Sequence, residues 1–369
     1  MTQQPAALAR AEAFCRRYEL QIPILMAPMA GACPASLAIA VAQAGGLGAC
    51  GTLLMKPDAV RAWVADVRAG SNGGFQLNTW IPDPPPARDA VHEAKVREFL
   101  GQWGPQVPAE AGDAVPVDFT AQCEAMLDTG PAILSSIMGL YPEAYVLRLK
   151  ERGISWFANA TTVAEARAAV AAGADVVVAQ GMEAGGHRGT FMAGMAETSL
   201  VGLFALLPAI VDAVGGQVPV VATGGIADGR GIAAALILGA SAVQIGTGLL
   251  RTPEANTNPA WAEALGKAQP EETAVTRAFS GRLGRSIATA YVKAANATDA
   301  PAPAAYPVQR GLSQAMRDAG SKANDIDRIQ AWAGQAARLA PAEPAGDYLR
   351  RIWDEARALL GERPDAHAS

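Results

Sequence analysis

Eight short runs of apolar or β-branched residues recur between positions 24 and 248: ILMAPMA (24–30), LGACGT (47–52), FQLNTW (75–80), AILSSIM (132–138), ISWFANAT (154–161), DVVVAQG (175–181), PVVATGG (219–225) and AVQIGTG (242–248). Their apolar character is continuous rather than alternating, as in a strand buried on both faces. Helix-sized, Ala-rich segments separate most of them. The segment 162–172 has Thr162 as a cap and Gly173 as a stop, and the next clear one runs from Asp228 to Gly239. Buried strands joined by helices predict an α/β fold with a parallel sheet, and eight units predict a closed TIM (β/α)8 barrel. A doubly wound open sheet has the same periodicity and stands as the alternative.

The rhythm breaks twice. Between Trp80 and Pro131 lies a Pro-rich interruption (IPDPPP, then PQVPAEAGDAVP) with one helix predicted near 92–103. After Arg251 the chain becomes mostly helical, with helices predicted over 259–279, 322–340 and 347–360 and a connector DAPAPAAYP at 299–307. Three regions are expected: a barrel over 20–255 with an insertion at about 81–117, a smaller helical substrate-side domain over 256–320, and C-terminal helices over 321–369 that pack back on the barrel.

Composition narrows the class. The stretch 21–55 carries no charge, yet Pro23, Pro28, Pro34 and five glycines cut it into pieces too short to span a bilayer. Lys and Arg number 30 against 35 Asp and Glu, and no basic run stands out, which argues against a nucleic-acid partner. Three histidines (His92, His187, His367) and four cysteines without CxxC spacing leave no ligand cluster for a metal centre. Scattered cysteines and no signal peptide imply a reducing cytoplasm.

The polar and glycine-rich residues fall at the C-terminal ends of the predicted strands, where a barrel gathers its active site: Pro28 and Met29, Asn78, Ser135 and Ser136, Asn159, Gln180 to His187, Thr223 to Gly225, Gly246 and Thr247. The loops ATGGIADGRG and QIGTGLL, after strands seven and eight, read as a phosphate cradle beside the helix starting near Asp228; tight turns alone are the plainer reading. In GMEAGGHRGTF (181–191), His187 has no apolar neighbours to pack its ring. It reads as a ring near substrate or cofactor, with a structural loop cap as the alternative. Arg188 beside it either pairs an anion or is solvated. The amides of Asn78 and Gln180 suit the edge of a heteroaromatic ring.

The blocks QIPILMAPMAGACPASLAIAVAQAGGLG, GFQLNTW, DVVVAQGMEAGGHRGTF, PVVATGGIADGRGIAAALILGASAVQIGT, YPVQRG and QAWAGQ, in this order, resemble the nitronate monooxygenase family. The resemblance implies an FMN-binding TIM barrel with a smaller, mostly helical domain. It implies oxidation of alkyl nitronates by O2 to carbonyl compounds with release of nitrite, by a monomer or homodimer acting on an anionic substrate. It places Ala27, Pro28 and Met29 beside the flavin ring, with Asn78 and Gln180 on its polar edge. Gly185, Gly186, Gly224, Gly225, Gln244, Gly246 and Thr247 would hold the rest of the cofactor, Gln335 would reach it, and His187 is the candidate catalytic residue. One departure stands out. Where many members carry a His after strand four, in a segment like SFHFG, this chain reads SSIMG, with Ile137 in its place. That change keeps a second reading open: an FMN-dependent NAD(P)H reductase of quinones or enoyl thioesters on the same barrel.

Overall fold

A computed structural model describes residues 5–362; the end of the 321–369 segment and His367 lie outside the described residues. The eight predicted runs form eight parallel strands: β1 (Ile24–Met26), β2 (Gly48–Gly51), β3 (Phe75–Trp80), β4 (Ile133–Ile137), β5 (Ser155–Ala160), β6 (Val176–Gln180), β7 (Val220–Thr223) and β8 (Ala242–Ile245). They are ordered β1-β8-β7-β6-β5-β4-β3-β2, and a parallel bridge between Leu25 and Leu47 closes the ring. The fold is a (β/α)8 barrel.

Two cores hold it. One lies between the strands and the surrounding helices. The other fills the lower barrel with Leu25, Leu47, Ile133, Phe157, Val176, Val178 and Val221, and the N-terminal helix Ala6–Tyr18 plugs it from below through Phe14 and Tyr18. Above this apolar floor the inward residues turn polar: Gln76, Asn78, Ser135, Asn159, Gln180 and Gln244 are all buried. Polar groups are costly inside a barrel unless something meets them, so the change of character marks the level at which a ligand belongs.

The local signals act as their chemistry requires. Thr162 caps the helix Val163–Ala171 by accepting from Glu165 N at 3.1 Å. Asp228 caps Gly229–Ile237 through Gly231 N at 3.0 Å. Gly173 and Gly239 end these segments with φ of +94° and +110°, a region that only glycine enters freely.

The tail is rearranged relative to the periodicity. The helix read over 259–279 ends at Lys267, and the chain continues as the strand Thr273–Thr276, paired antiparallel with Gly284–Ile287. That second strand pairs in turn with Gly186–His187, so the small sheet docks on the barrel mouth. No helix covers most of 322–340. The helix Gln314–Ala323 stops at Asn324, which takes a left-handed conformation, and the following segment runs over the cavity. The interruption after β3 holds Ala90–Gly101 and a second helix, Phe119–Asp128, that pattern alone did not separate. The C-terminal helix Ala345–Leu359 buries Tyr348, Leu349, Ile352 and Ala356. It lies against Ala35–Gln43 and Gly229–Ile237, the position of the barrel's eighth helix. Everything from 246 to 344 is therefore a long excursion between β8 and its helix.

Candidate active site

A cavity of about 340 Å³ opens at the C-terminal ends of the strands. Phe157 and Val178 form its floor. Ala27, Pro28 and Met29 follow β1 along one wall; Asn78, Gln180 and Gln244 project from β3, β6 and β8; Gly185, Gly186, Gly224, Gly225, Gly246 and Thr247 form a glycine-rich side that meets Ala27 and Met29 at Gly246, and His187 stands at the lip. The structure thus brings together every predicted site residue except Gln335. Gln335 is absent from the lining; its backbone N–H donates to Glu183 O at 2.9 Å, while its neighbours Gly334 and Ala336 face the cavity. Tyr291, Lys293 and Tyr306 are also outside the lining.

The glycine-rich side is built by close approach of three loops. Gly224 and Gly225 have φ of +112° and +71°. The N–H of Gly225 has no hydrogen-bond partner among the described residues. Thr247 Oγ1 accepts from Gly334 N at 3.0 Å, tying the tail segment to the β8 loop. A Cβ on Gly185 would fall 2.5 Å from Gly334 N and 2.8 Å from Thr247 Oγ1. Backbone cannot yield there, so Gly185→Ala should open the cradle and destabilise the protein by about 1–3 kcal/mol. Urea unfolding of the variant reads this, and unchanged stability would show that the loops separate freely.

Gln180 has a more confined role than its amide suggested. Its Oε1 accepts from Gly189 N at 2.8 Å and its Nε2 donates to His187 O at 3.1 Å, so it pins the 186–189 segment and keeps one N–H for the cavity. Arg188 is neither solvated nor available to an anion. It is buried and donates to the backbone carbonyls of Gln180, Thr161 and Ser199. Burial lowers its pKa to about 10, still far above neutrality.

His187 lies between two indoles, with ring centroids 4.6 Å from Trp80 and 4.8 Å from Trp332. Its Nε2 is 2.7 Å from Ser280 Oγ. Burial first, then the charges of Arg310, Arg282 and Arg317, lower its pKa to about 3. The ring is therefore neutral at physiological pH and a weak base. It can hold a hydrogen bond and shape the lip, but it is poorly suited to removing a proton from carbon.

Sequence reasoning missed one part of the lining: Trp261, Arg310, Arg317, Gln330 and Trp332, all from the excursion after β8. Arg317 is only 8% exposed and bonds neutral acceptors, namely Ser313 Oγ, Gln330 Oε1, Gln314 Oε1 and Arg310 O. Burial lowers the pKa of both Arg310 and Arg317, the latter to about 10. The Arg310 guanidinium makes no hydrogen bond or ion pair with any described residue. Neither arginine forms a direct ion pair, and the single carboxylate that acts on both, Asp318, leaves this wall with net positive charge, suited to receive an anion. YPVQRG was visible as a block, but nothing local marked Arg310 as facing the barrel.

The nitronate monooxygenase family model matches residues 14–355. The chain belongs to the nitronate monooxygenase family. It is 37% identical to a nitronate monooxygenase of Pseudomonas aeruginosa over 93% of this chain and 99% of that one. It is 36% identical to one of Paraburkholderia phytofirmans over 92% and 93%. Among solved structures, a nitroalkane oxidase from Streptomyces ansochromogenes is 35% identical with a TM-score of 0.82, over 92% of this chain and 98% of that one. FabK from Thermotoga maritima is 27% identical with a TM-score of 0.73, over 95% and 97%. Membership makes this chain a flavin-dependent oxidoreductase of the nitronate-oxidising kind, acting on a small molecule. Among the described residues no helix is long and apolar enough to cross a membrane.

Proposed function

We propose that the protein is an FMN-dependent monooxygenase that converts an anionic alkyl nitronate and O2 to a carbonyl compound and nitrite. The observation that carries this reading is the pair Arg310 and Arg317 in the cavity wall, two cations with no direct ion pair and only Asp318 nearby to offset them. The cavity's residues fit FMN. Glycines with open backbone suit its phosphate, the apolar Ala27–Met29 segment suits the face of a ring, and the amides of Asn78, Gln180 and Gln244 suit a ring edge. Bound FMN supplies the one-electron oxidising power and the route of electrons to O2. The chain does the rest: Arg310 attracts and holds the nitronate charge, Trp80 and Trp332 exclude water, and neutral His187 keeps the lip closed without adding charge beside the anion.

Replacing Arg310 by Met retains bulk and removes the charge. It should raise the KM for ethylnitronate about tenfold or more, the usual worth of a hydrogen bond to a charged group, with FMN retained. Steady-state oxygen uptake with nitrite detection tests both the activity and this role, and an unaltered KM would remove Arg310 from the substrate site. Reduction of quinones or enoyl thioesters by NAD(P)H is the second reading; the apolar Ile137 in the cavity wall favours it. We further propose a cytoplasmic location.

A further inference from the structure

Polar side chains aimed into a barrel need a partner, so a buried donor with none marks a place where a ligand belongs. Asn159 is such a donor. It projects inward from β5, is 7% exposed and lines the cavity. Its Nδ2 is buried with no hydrogen-bond partner among the described residues. Each neighbouring amide has at least one partner: Asn78 Nδ2 donates to Ser135 Oγ at 3.0 Å, Gln180 holds Gly189 and His187, and Gln244 Oε1 accepts from Gln76 Nε2 at 3.2 Å.

Register places Asn159 between the floor of the cavity and the Trp80 side of its lip. Asn78 is opposite Ser135 and Ser135 opposite Phe157, which defines a lower row. Trp80 is opposite Ile137 and Ser136 opposite Ala158, so Asn159 stands abreast of Ile137 on one side, while on its other side it is opposite Val178 of the cavity floor. Gly189 faces both: a Cβ there would land on Asn159 Nδ2 and 2.8 Å from Ile137 Cγ1. Ile137 offers no acceptor, and the N–H of Gly189 is committed to Gln180. The terminal torsion of an Asn is soft, so its carboxamide can turn its N–H groups toward the cavity without any backbone motion.

We propose that Asn159 donates a hydrogen bond to an oxygen of the bound substrate, the orienting partner of the charge anchored by Arg310. This rests on the nitronate reading for the identity of the oxyanion. A neutral amide suits this role, because it directs N–H groups at a planar oxyanion and has no proton to lose as pH changes.

The test uses the flavin-loaded protein and Asn159→Leu, which keeps the branched shape and removes the donor, with Asn159→Ala in reserve should the Leu variant fail to fold. Nitrate is an inert planar oxyanion whose binding can be followed through the visible absorbance of the flavin. The nitrate Kd and the KM for ethylnitronate should both rise about 10- to 100-fold while the FMN Kd stays within about twofold. Nitrate that binds wild type and variant equally, or does not bind wild type, overturns the proposal. So does an FMN affinity that falls in step with nitrate affinity, which would place the amide on the flavin. A wild-type protein that binds nitrate in an Asn159-dependent way but does not oxidise ethylnitronate keeps this donor and removes the nitronate reading.

Discussion

Asp83→Ala is expected to destabilise the protein by about 3–5 kcal/mol, the cost of leaving a buried charge without its partner. Arg282 is 1% exposed, and its Nε and Nη2 donate to the two oxygens of Asp83 at 2.7 and 2.6 Å. Its Nη1 donates to Thr190 O at 3.0 Å. The pair joins the interruption after β3 to the hairpin that docks on Gly186–His187, so it holds two separate parts of the chain around one side of the cavity. Urea unfolding gives the number directly. A loss below about 1 kcal/mol would mean that water reaches Arg282 once Asp83 is gone. The double change Asp83→Leu with Arg282→Met should recover much of the loss, because it removes both charges together.

The second large effect concerns the protonation state of the substrate. A nitronate has already lost its carbon proton, whereas a neutral nitroalkane needs a base. His187, at a pKa of about 3, is neutral but weak, and Ile137 contributes nothing polar. Turnover of ethylnitronate should therefore exceed that of nitroethane by at least about 100-fold, the lower end of what a general base contributes. The sign of the pH dependence follows from the same shift. A histidine whose folded pKa lies below its unfolded value near 6.5 contributes no charge change to the folded enzyme above about pH 4. The kcat/KM for the nitronate should show no inflection from His187 between pH 5 and 8. An inflection near pH 6.5 that disappears in His187→Asn would show that the ring titrates freely and would return it to acid–base work.

Much of the barrel was legible because parallel strands buried on both faces leave uninterrupted apolar runs, and all eight sit where those runs lie. The glycine-rich loops and the strand-end amides were legible for a related reason: polar residues at the ends of buried strands have few other uses. The missing half of the site comes from 246–344. Trp261, Arg310, Gln330 and Trp332 reach the cavity only because that excursion folds back across the mouth, and no periodicity encodes such a long-range approach. The strands Thr273–Thr276 and Gly284–Ile287 are too short to outweigh a helical reading of their neighbours. The imidazole of His187 was found, but its chemistry depends on two indoles and three arginines distant in sequence. Gln335 shows the converse: it belongs to a block that does border the cavity, but its own backbone is turned to Glu183.

A cavity that oxidises a nitronate anion and one that accepts hydride from a nicotinamide differ in which donor reduces the flavin. Anaerobic rapid mixing of the flavin-loaded protein tells them apart most directly. Ethylnitronate should change the flavin's visible absorbance within the first turnover, and NADH or NADPH at the same concentration should leave it unchanged. Rapid bleaching by either nicotinamide, with no response to ethylnitronate, would contradict the account.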